Sequence, residues 1–253
     1  MKNKIIFVAC DASKIKKIKD IIIQTKNNKL KIIPKFGLQL FYSKNGRKFL
    51  EKFKKDFWLD LKINDIPHTA LSAMDSLKDL KKCKYITVHA NGGLNMLKAV
   101  KKHAKKINTN LKVLGVTILT SLNNESLTEI GHTKNVQQLV LKQAELIKKS
   151  GCDGIVCSPQ ESKIIRKKFQ NLLIITPGIR LPGDKSNDQV RVMTPKDAFK
   201  NKVSGVVMGR SLTKGNIKHN VKKLIDHLSQ WSRAAKSVEF LIQLHWALSL
   251  ITL

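Results

Sequence analysis

Between Asp60 and Thr69 the chain reads Asp-Leu-Lys-Ile-Asn-Asp-Ile-Pro-His-Thr, directly after the apolar run Phe57-Trp58-Leu59. That order places the polar residues where a buried β-strand ends. Side chains alternate faces along a strand, so Asp60 and Lys62 point into one site, with Asp65 just beyond in the turn before a helix. Unpaired charge is costly to bury, and a carboxylate-ammonium-carboxylate cluster is commonly kept for chemistry. A solvated salt bridge at a strand end accounts for the same spacing equally well.

Groups of this kind need rigid elements to hold them, and the periodicity of the chain supplies a series. Short β-branched runs fall at Ile5–Cys10, Leu30–Lys35, Phe57–Lys62, Tyr85–His89, Val113–Leu119, Gly154–Ser158, Leu172–Thr176 and Gly205–Met208. Amphipathic stretches at roughly 13–26, 38–54, 67–81, 93–106, 135–149, 159–168, 195–200 and 217–229 read as helices between them. Strands that are nearly continuous apolar runs fit a parallel sheet buried on both faces. The class is therefore α/β, and eight strand–helix units predict a (β/α)8 TIM barrel, with a doubly wound open sheet as the alternative. Asp11 and Ser13 can cap the first helix, while Ser158-Pro159 and Thr194-Pro195 set prolines where helices open. Gly151 suits a helix C-terminus. No Ser/Gly linker interrupts the chain, so residues 1–230 are expected to form one barrel domain.

The tail, residues 231–253, is apolar but broken by Glu239, Gln243 and His245, and is too short for a membrane span. A packing helix, an interface segment and a sequence artefact all fit it. At the other end, the apolar run Ile5–Cys10 is too short for a lipoprotein signal, and a first strand explains it better.

Charge narrows the partners. The 253 residues carry a formal net charge of +30, but 42 of the 48 basic residues are Lys and six are Arg. Stretches such as Lys98–Lys106 alternate lysines with apolar positions at helical spacing, the pattern of solvated outer faces. A nucleic-acid binder would more often show Arg and aromatics along one stripe, so neither nucleic acid nor membrane is expected as a partner. The positive field favours a small anionic substrate. Cys10, Cys83, Cys152 and Cys157 form no CxxC pair, and no metal site is expected from them. They read as reduced, mostly buried thiols of a cytoplasmic protein.

In such a barrel the active groups gather at the C-terminal strand ends. The polar residues there are Asp11, Lys35, Asp60, Lys62, His89, Thr117, Thr120, Ser158, Thr176 and Arg210, and the opposite ends show no comparable set. Two loops suit an anion: Thr176-Pro-Gly-Ile-Arg180 and Met208-Gly209-Arg210-Ser211. Barrels often hold phosphate after strands seven and eight, where Gly209 admits close backbone approach and Arg210 offers a planar fork. Residues 181–190 read as a lid or as a plain surface loop.

The block Asp60-Leu-Lys62-Ile-Asn-Asp65-Ile66-Pro67 resembles the signature of the orotidine 5′-phosphate decarboxylase family. So do Lys35-Phe-Gly37, Val88-His89-Ala90, Val116–Ser121, Thr176–Arg180, Gly183–Gln189, Met193-Thr194-Pro195 and Gly209-Arg210, in order from about residue 4 to about residue 228. The resemblance implies decarboxylation of orotidine 5′-monophosphate to uridine 5′-monophosphate, without metal or organic cofactor, by a homodimer that shares its sites. By the same resemblance Lys62 would protonate C6 of the pyrimidine, and Asp60 would sit against the departing carboxylate. Lys35 and Asp65 would complete an alternating array, with Asp65 reaching in from a second subunit. Asp11 and Thr69 would bind ribose hydroxyls, Thr69 also across the dimer, and Thr120 would meet the pyrimidine edge. Gln189, Gly209 and Arg210 would take the phosphate, with Arg180 lining the same region.

Enzymes of the ketogulonate-phosphate decarboxylase or hexulose-phosphate synthase type share the Asp-x-Lys-x-x-Asp strand. They bind magnesium with a carboxylate at the end of strand two, where this chain has Lys35. Cys10 also departs from the family pattern, standing where Leu or a similar residue is usual. His132, His219 and His227 lie off the strand ends and read as surface or packing residues.

Overall fold

The computed structural model describes residues 4–184 and 192–230. Eight parallel strands follow one another around a closed barrel in sequence order. They are β1 (Ile5–Ala9), β2 (Lys31–Gly37), β3 (Phe57–Ile63), β4 (Cys83–His89), β5 (Lys112–Val116), β6 (Gly154–Val156), β7 (Leu173–Thr176) and β8 (Gly205–Met208). Closure comes from β1 pairing with both β2 and β8. The (β/α)8 expectation holds, and the open-sheet alternative falls with it.

Alternation along the strands divides the core in two. Phe7, Ile33, Trp58, Leu114, Val156, Ile175 and Val207 form one cluster, while neighbours such as Ile6, Leu59, Val113, Ile155 and Val206 join a second, larger one. The first fills the barrel, where Phe7 meets Trp58 and Tyr85 edge-on at 4.8 and 5.1 Å. The second lies between the barrel and its helices.

Those helices are α1 (Ile15–Gln24), α2 (Leu38–Phe41), α3 (Gly46–Lys52), α4 (Pro67–Asp75), α5 (Gly93–Ile107), α6 (Asn124–Glu129), α7 (Val136–Lys149), α8 (Ser162–Lys168), α9 (Pro195–Lys200), α10 (Arg210–Thr213) and α11 (217–230). α5 buries Met96, Leu97, Val100 and Ala104, which recur at helical spacing, and turns lysines such as Lys102 and Lys105 to solvent.

Several boundaries differ from the sequence reading. The helix expected over 38–54 is two helices. Ser43 donates to the Leu40 carbonyl at 2.7 Å, and a Cβ at Gly46 would stand 1.7 Å from that oxygen, so the chain turns sharply where only glycine fits. The helix expected to reach residue 81 ends at Asp75 and continues as successive turns to Leu80. β5 stops at Val116 rather than Leu119, and the short helices α6 and α10 were not expected. Neither Asp11 nor Ser13 caps α1, whose N-cap is Lys14 with no side-chain bond, because Asp11 faces Lys35. Pro195 does open α9 and Gly151 (φ +77°) does follow α7, but Pro159 does not open α8, which starts at Ser162 after an N-cap at Glu161 and leaves the proline in the preceding turn. The tail 231–253 lies outside the described residues. Among those residues no helix is long and apolar enough to cross a membrane.

Candidate active site

Lys35, near the end of β2, and Asp60, late in β3, are both buried. The Lys35 Nζ lies 3.1 Å from Asp60 Oδ2 and 3.4 Å from Asp11 Oδ1, just past β1. Lys62 Nζ lies 2.9 Å from the other oxygen, Asp60 Oδ1. One carboxylate thus bridges two ammonium groups, and a second carboxylate closes the row. A Cβ at Gly37 would stand 3.2 Å from Asp11 Oδ1 and 3.6 Å from Lys35 Nζ, so the glycine leaves space for that pair.

Asp60 and Lys62 do serve one site, but plain strand alternation is not how Lys62 arrives there. Pairing of β3 with β4 shifts between Leu59 and Ile63, and Lys62 adopts a left-handed backbone at φ +51°. A non-glycine residue holds that conformation only where its surroundings over-determine it.

Burial works against charge on Lys35, but Asp60 and then Asp11 outweigh it and hold the ammonium above its ordinary pKa. Burial likewise opposes the Asp60 carboxylate, and Lys35 and Lys62 overcome it, so the group stays ionised below the usual carboxylate range. His89, at the end of β4, is pushed down by burial and then by Lys62. Its Nδ1 accepts from the Asn91 amide at 3.3 Å. The Cys10 thiol is pushed up to about 12 by burial and by Asp11, against the pull of Lys35, which makes it a packing group. All four cysteines are buried and free.

These charges face a cavity of about 360 Å³ at the C-terminal ends of the strands. Asp11, Lys35, Asp60, Lys62, Thr120, Arg180, Gly209 and Arg210 line it. Trp58, Val116, Ile118, Val156 and Val207 supply an apolar floor and wall. Arg180 is lowered by burial and then by the nearby Arg210 charge. Two like-charged guanidinium groups close together in one cavity are suited in charge to a dianion. Ser211, beside Arg210, donates to the Asp184 carboxylate. A wider groove of about 1430 Å³ crosses the outer helices past Asn135, Gln160 and Arg166, away from these strand ends.

Asp65 and Thr69 are exposed and do not line this cavity of their own subunit. Asp65 Oδ1 instead accepts from the Ile66 amide at 2.7 Å. Gln189 lies outside the described residues, as do residues 185–190 of the expected lid. Thr117 bonds the Val156 carbonyl at 3.1 Å and Ser158 accepts from the Gln160 amide, so both shape loops. Thr176 is buried beside the barrel core. His227 accepts from the Lys196 amide at 3.3 Å, a packing role.

Sequence reasoning missed Thr87 and Trp58. Thr87 is a fully buried polar residue on the same face of β4 as His89, and that alternation was the available signal. Among the described residues no group of three or more His, Cys, Asp or Glu side chains is placed to hold a metal ion.

Residues 4–223 match the model of the orotidine 5′-phosphate decarboxylase / HUMPS family. An orotidine 5′-phosphate decarboxylase of Staphylococcus epidermidis is 40% identical over 184 residues, covering 71% of this chain and 79% of the relative. That of Malacoplasma penetrans is 37% identical over 221 residues, covering 85% and 94%. Among solved structures, the orotidine 5′-phosphate decarboxylase of Lactobacillus acidophilus superposes with a TM-score of 0.73 at 30% identity, covering 87% of this chain and 96% of that one. The orotidine 5′-monophosphate decarboxylase of Methanocaldococcus jannaschii, complexed with the inhibitor BMP, gives a TM-score of 0.68 at 25% identity over the same shares.

Proposed function

The chain belongs to the orotidine 5′-phosphate decarboxylase / HUMPS family and is an enzyme of its decarboxylase kind; we propose how its cavity converts orotidine 5′-monophosphate to uridine 5′-monophosphate, a step of pyrimidine nucleotide biosynthesis. The observation that carries this reading is the bridged Lys35–Asp60–Lys62 array opening into the same cavity as Arg180 and Arg210.

The substrate phosphate lies against Arg210 and the Gly209 backbone, with Arg180 alongside and Gln189 joining from the loop. Asp11 takes a ribose hydroxyl, and Thr120 meets the pyrimidine edge. The carboxylate on C6 then faces Asp60. Breaking the C6–carboxylate bond releases CO2 and leaves the electron pair on C6. Lys62 Nζ delivers a proton to that carbon, and water restores the ammonium.

Fixed charges in a site shielded from water are suited to holding such a carbanion, since they need no reorganisation as it forms. Each tenfold in rate needs about 1.4 kcal/mol, so one ammonium cannot supply the whole effect. Contacts to the remote phosphate contribute by ordering the array around the base.

Asp65 and Thr69 complete the site as residues of a second copy. Their exposure beside a cavity they do not line supports a homodimer with shared sites. The enzyme works in the cytoplasm without metal or organic cofactor. The magnesium-dependent sugar-phosphate chemistry of the wider superfamily is disfavoured by Lys35, whose ammonium occupies the Asp60 carboxylate at 3.1 Å.

The test is loss of orotidine 5′-monophosphate absorbance with purified protein in the presence of EDTA. Turnover unaffected by the chelator is expected. No turnover, or turnover restored only by magnesium, would overturn the reading.

A further inference from the structure

We infer that Thr87 is a positioning residue, whose single hydroxyl locks the strained backbone of Lys62 to the carboxylate of Asp60. The inference rests on the decarboxylase reading above. Thr87 lies on β4 two residues before His89 and is completely buried. Its Oγ1 accepts from the Lys62 amide at 3.0 Å and donates to Asp60 Oδ1 at 2.9 Å. That carboxylate oxygen is the one that Lys62 Nζ touches at 2.9 Å. Both ends of Lys62, its amide and its ammonium, are therefore tied to one point.

The direction of these bonds is forced. An amide can only donate, so the hydroxyl accepts from Lys62 and its own proton is left for Asp60. The bond favours the ionised carboxylate and adds to the two ammonium groups that already hold it charged. It also explains how Lys62 keeps φ +51°. The bulge that lifts residues 60–62 out of register leaves the Lys62 amide without its ladder partner, and Thr87 replaces that partner from the neighbouring strand. Nothing in the role requires Thr87 to touch the nucleotide, and it does not line the cavity.

Thr87→Val keeps the shape and deletes the hydroxyl, whereas Thr87→Ser keeps the hydroxyl. The Val variant is expected to lose about 10- to 100-fold in kcat, the equivalent of one or two buried hydrogen bonds. Its affinity for uridine 5′-monophosphate is expected to stay within about threefold, since phosphate and ribose contacts are elsewhere. The acid limb of its kcat profile should move to higher pH, because Asp60 loses a donor to its charged form. The Ser variant should restore both kcat and the limb. If Val does not yield folded protein, Ala against Ser makes the same comparison.

A hydroxyl-free variant with the kcat and acid limb of the parent overturns the inference, as does a Ser variant that fails alongside Val. A parent protein that does not decarboxylate the nucleotide at all removes the reading beneath it, a result separate from either.

Discussion

Asp60→Asn preserves size but replaces one acceptor oxygen with an NH2 donor and deletes one charge that faces ammonium groups at 3.1 and 2.9 Å. At an effective dielectric of about 20, each contact is worth about 5 kcal/mol of bare Coulomb attraction before desolvation. Lys62 is 34% exposed in its side chain, and screening cuts its share to about 2–3 kcal/mol of orienting energy. Losing that from the proton donor corresponds to a fall of about 30- to 150-fold in kcat. Stability responds as well, since Lys35 stays buried with Asp11 at 3.4 Å in place of the nearer partner. Breaking a fully buried pair costs about 3–5 kcal/mol, and the retained Asp11 contact reduces this to about 1–3 kcal/mol. The pH dependence has a definite sign. Asp60 is depressed in the fold, so its contribution is present above the unfolded carboxylate pKa of about 3.9 and is lost as pH falls through the folded value. Lys35 is raised, so its contribution is complete below about 10.4 and is lost as pH rises through the folded value. The deficit of the Asn variant should therefore be full between about pH 5 and pH 9 and shrink at lower pH. Steady-state turnover and urea midpoints of both proteins across that range measure it. A kcat within about threefold of the parent, or equal midpoints at neutral pH, refutes the charge-ordering argument.

Arg210→Ala should raise KM about 10- to 100-fold with a smaller change in kcat, since a charge-assisted pair to phosphate is worth about 1.5–3 kcal/mol; an unchanged KM contradicts the phosphate role. Lys62→Ala should bind uridine 5′-monophosphate normally by calorimetry yet lose at least about 100-fold in turnover, the usual cost of deleting a general acid. Mixing inactive Lys62→Ala with inactive Asp65→Ala protein should recover about a quarter of the parental activity, because half the exchanged dimers are mixed and each mixed dimer has one intact site; absence of recovery after confirmed subunit exchange counts against shared sites.

Much of the fold was legible because parallel strands buried on both faces leave an unmistakable apolar run, and all eight were placed. The errors lie where local chemistry competes with periodicity. Tyr42-Ser-Lys-Asn-Gly46 carries turn residues, yet its apolar flanks keep helical spacing, so one helix was read where two exist. Asp11 is a good cap by type, but its carboxylate meets a buried ammonium from the next strand, a contact far apart in sequence. The site was legible at its ionic groups, since Asp60, Lys62 and Lys35 fall at strand ends. Thr87 was not, because alternation puts its hydroxyl on the His89 face but cannot show the register shift of the partner strand that gives it a role.

That shift bears on why the array sits at a bulge at all. On a regular strand Asp60 and Lys62 would stand about 6.6 Å apart along the axis, with the lysine running outward past the carboxylate. Turning Lys62 left-handed brings its ammonium back onto Asp60 while the chain departs towards Asp65 and the opening of α4. The turn costs about 1–3 kcal/mol for a residue with a side chain. An ion pair at 2.9 Å and the Thr87 hydroxyl at 3.0 Å are enough to offset it. Asp60 lies on β3 itself and is held by Lys35 from β2, while Thr87 reaches across from β4. A parallel barrel sets such neighbours side by side without long connections crossing the site. The strain is thus held by the scaffold rather than by the substrate, which leaves the array ordered before the nucleotide arrives.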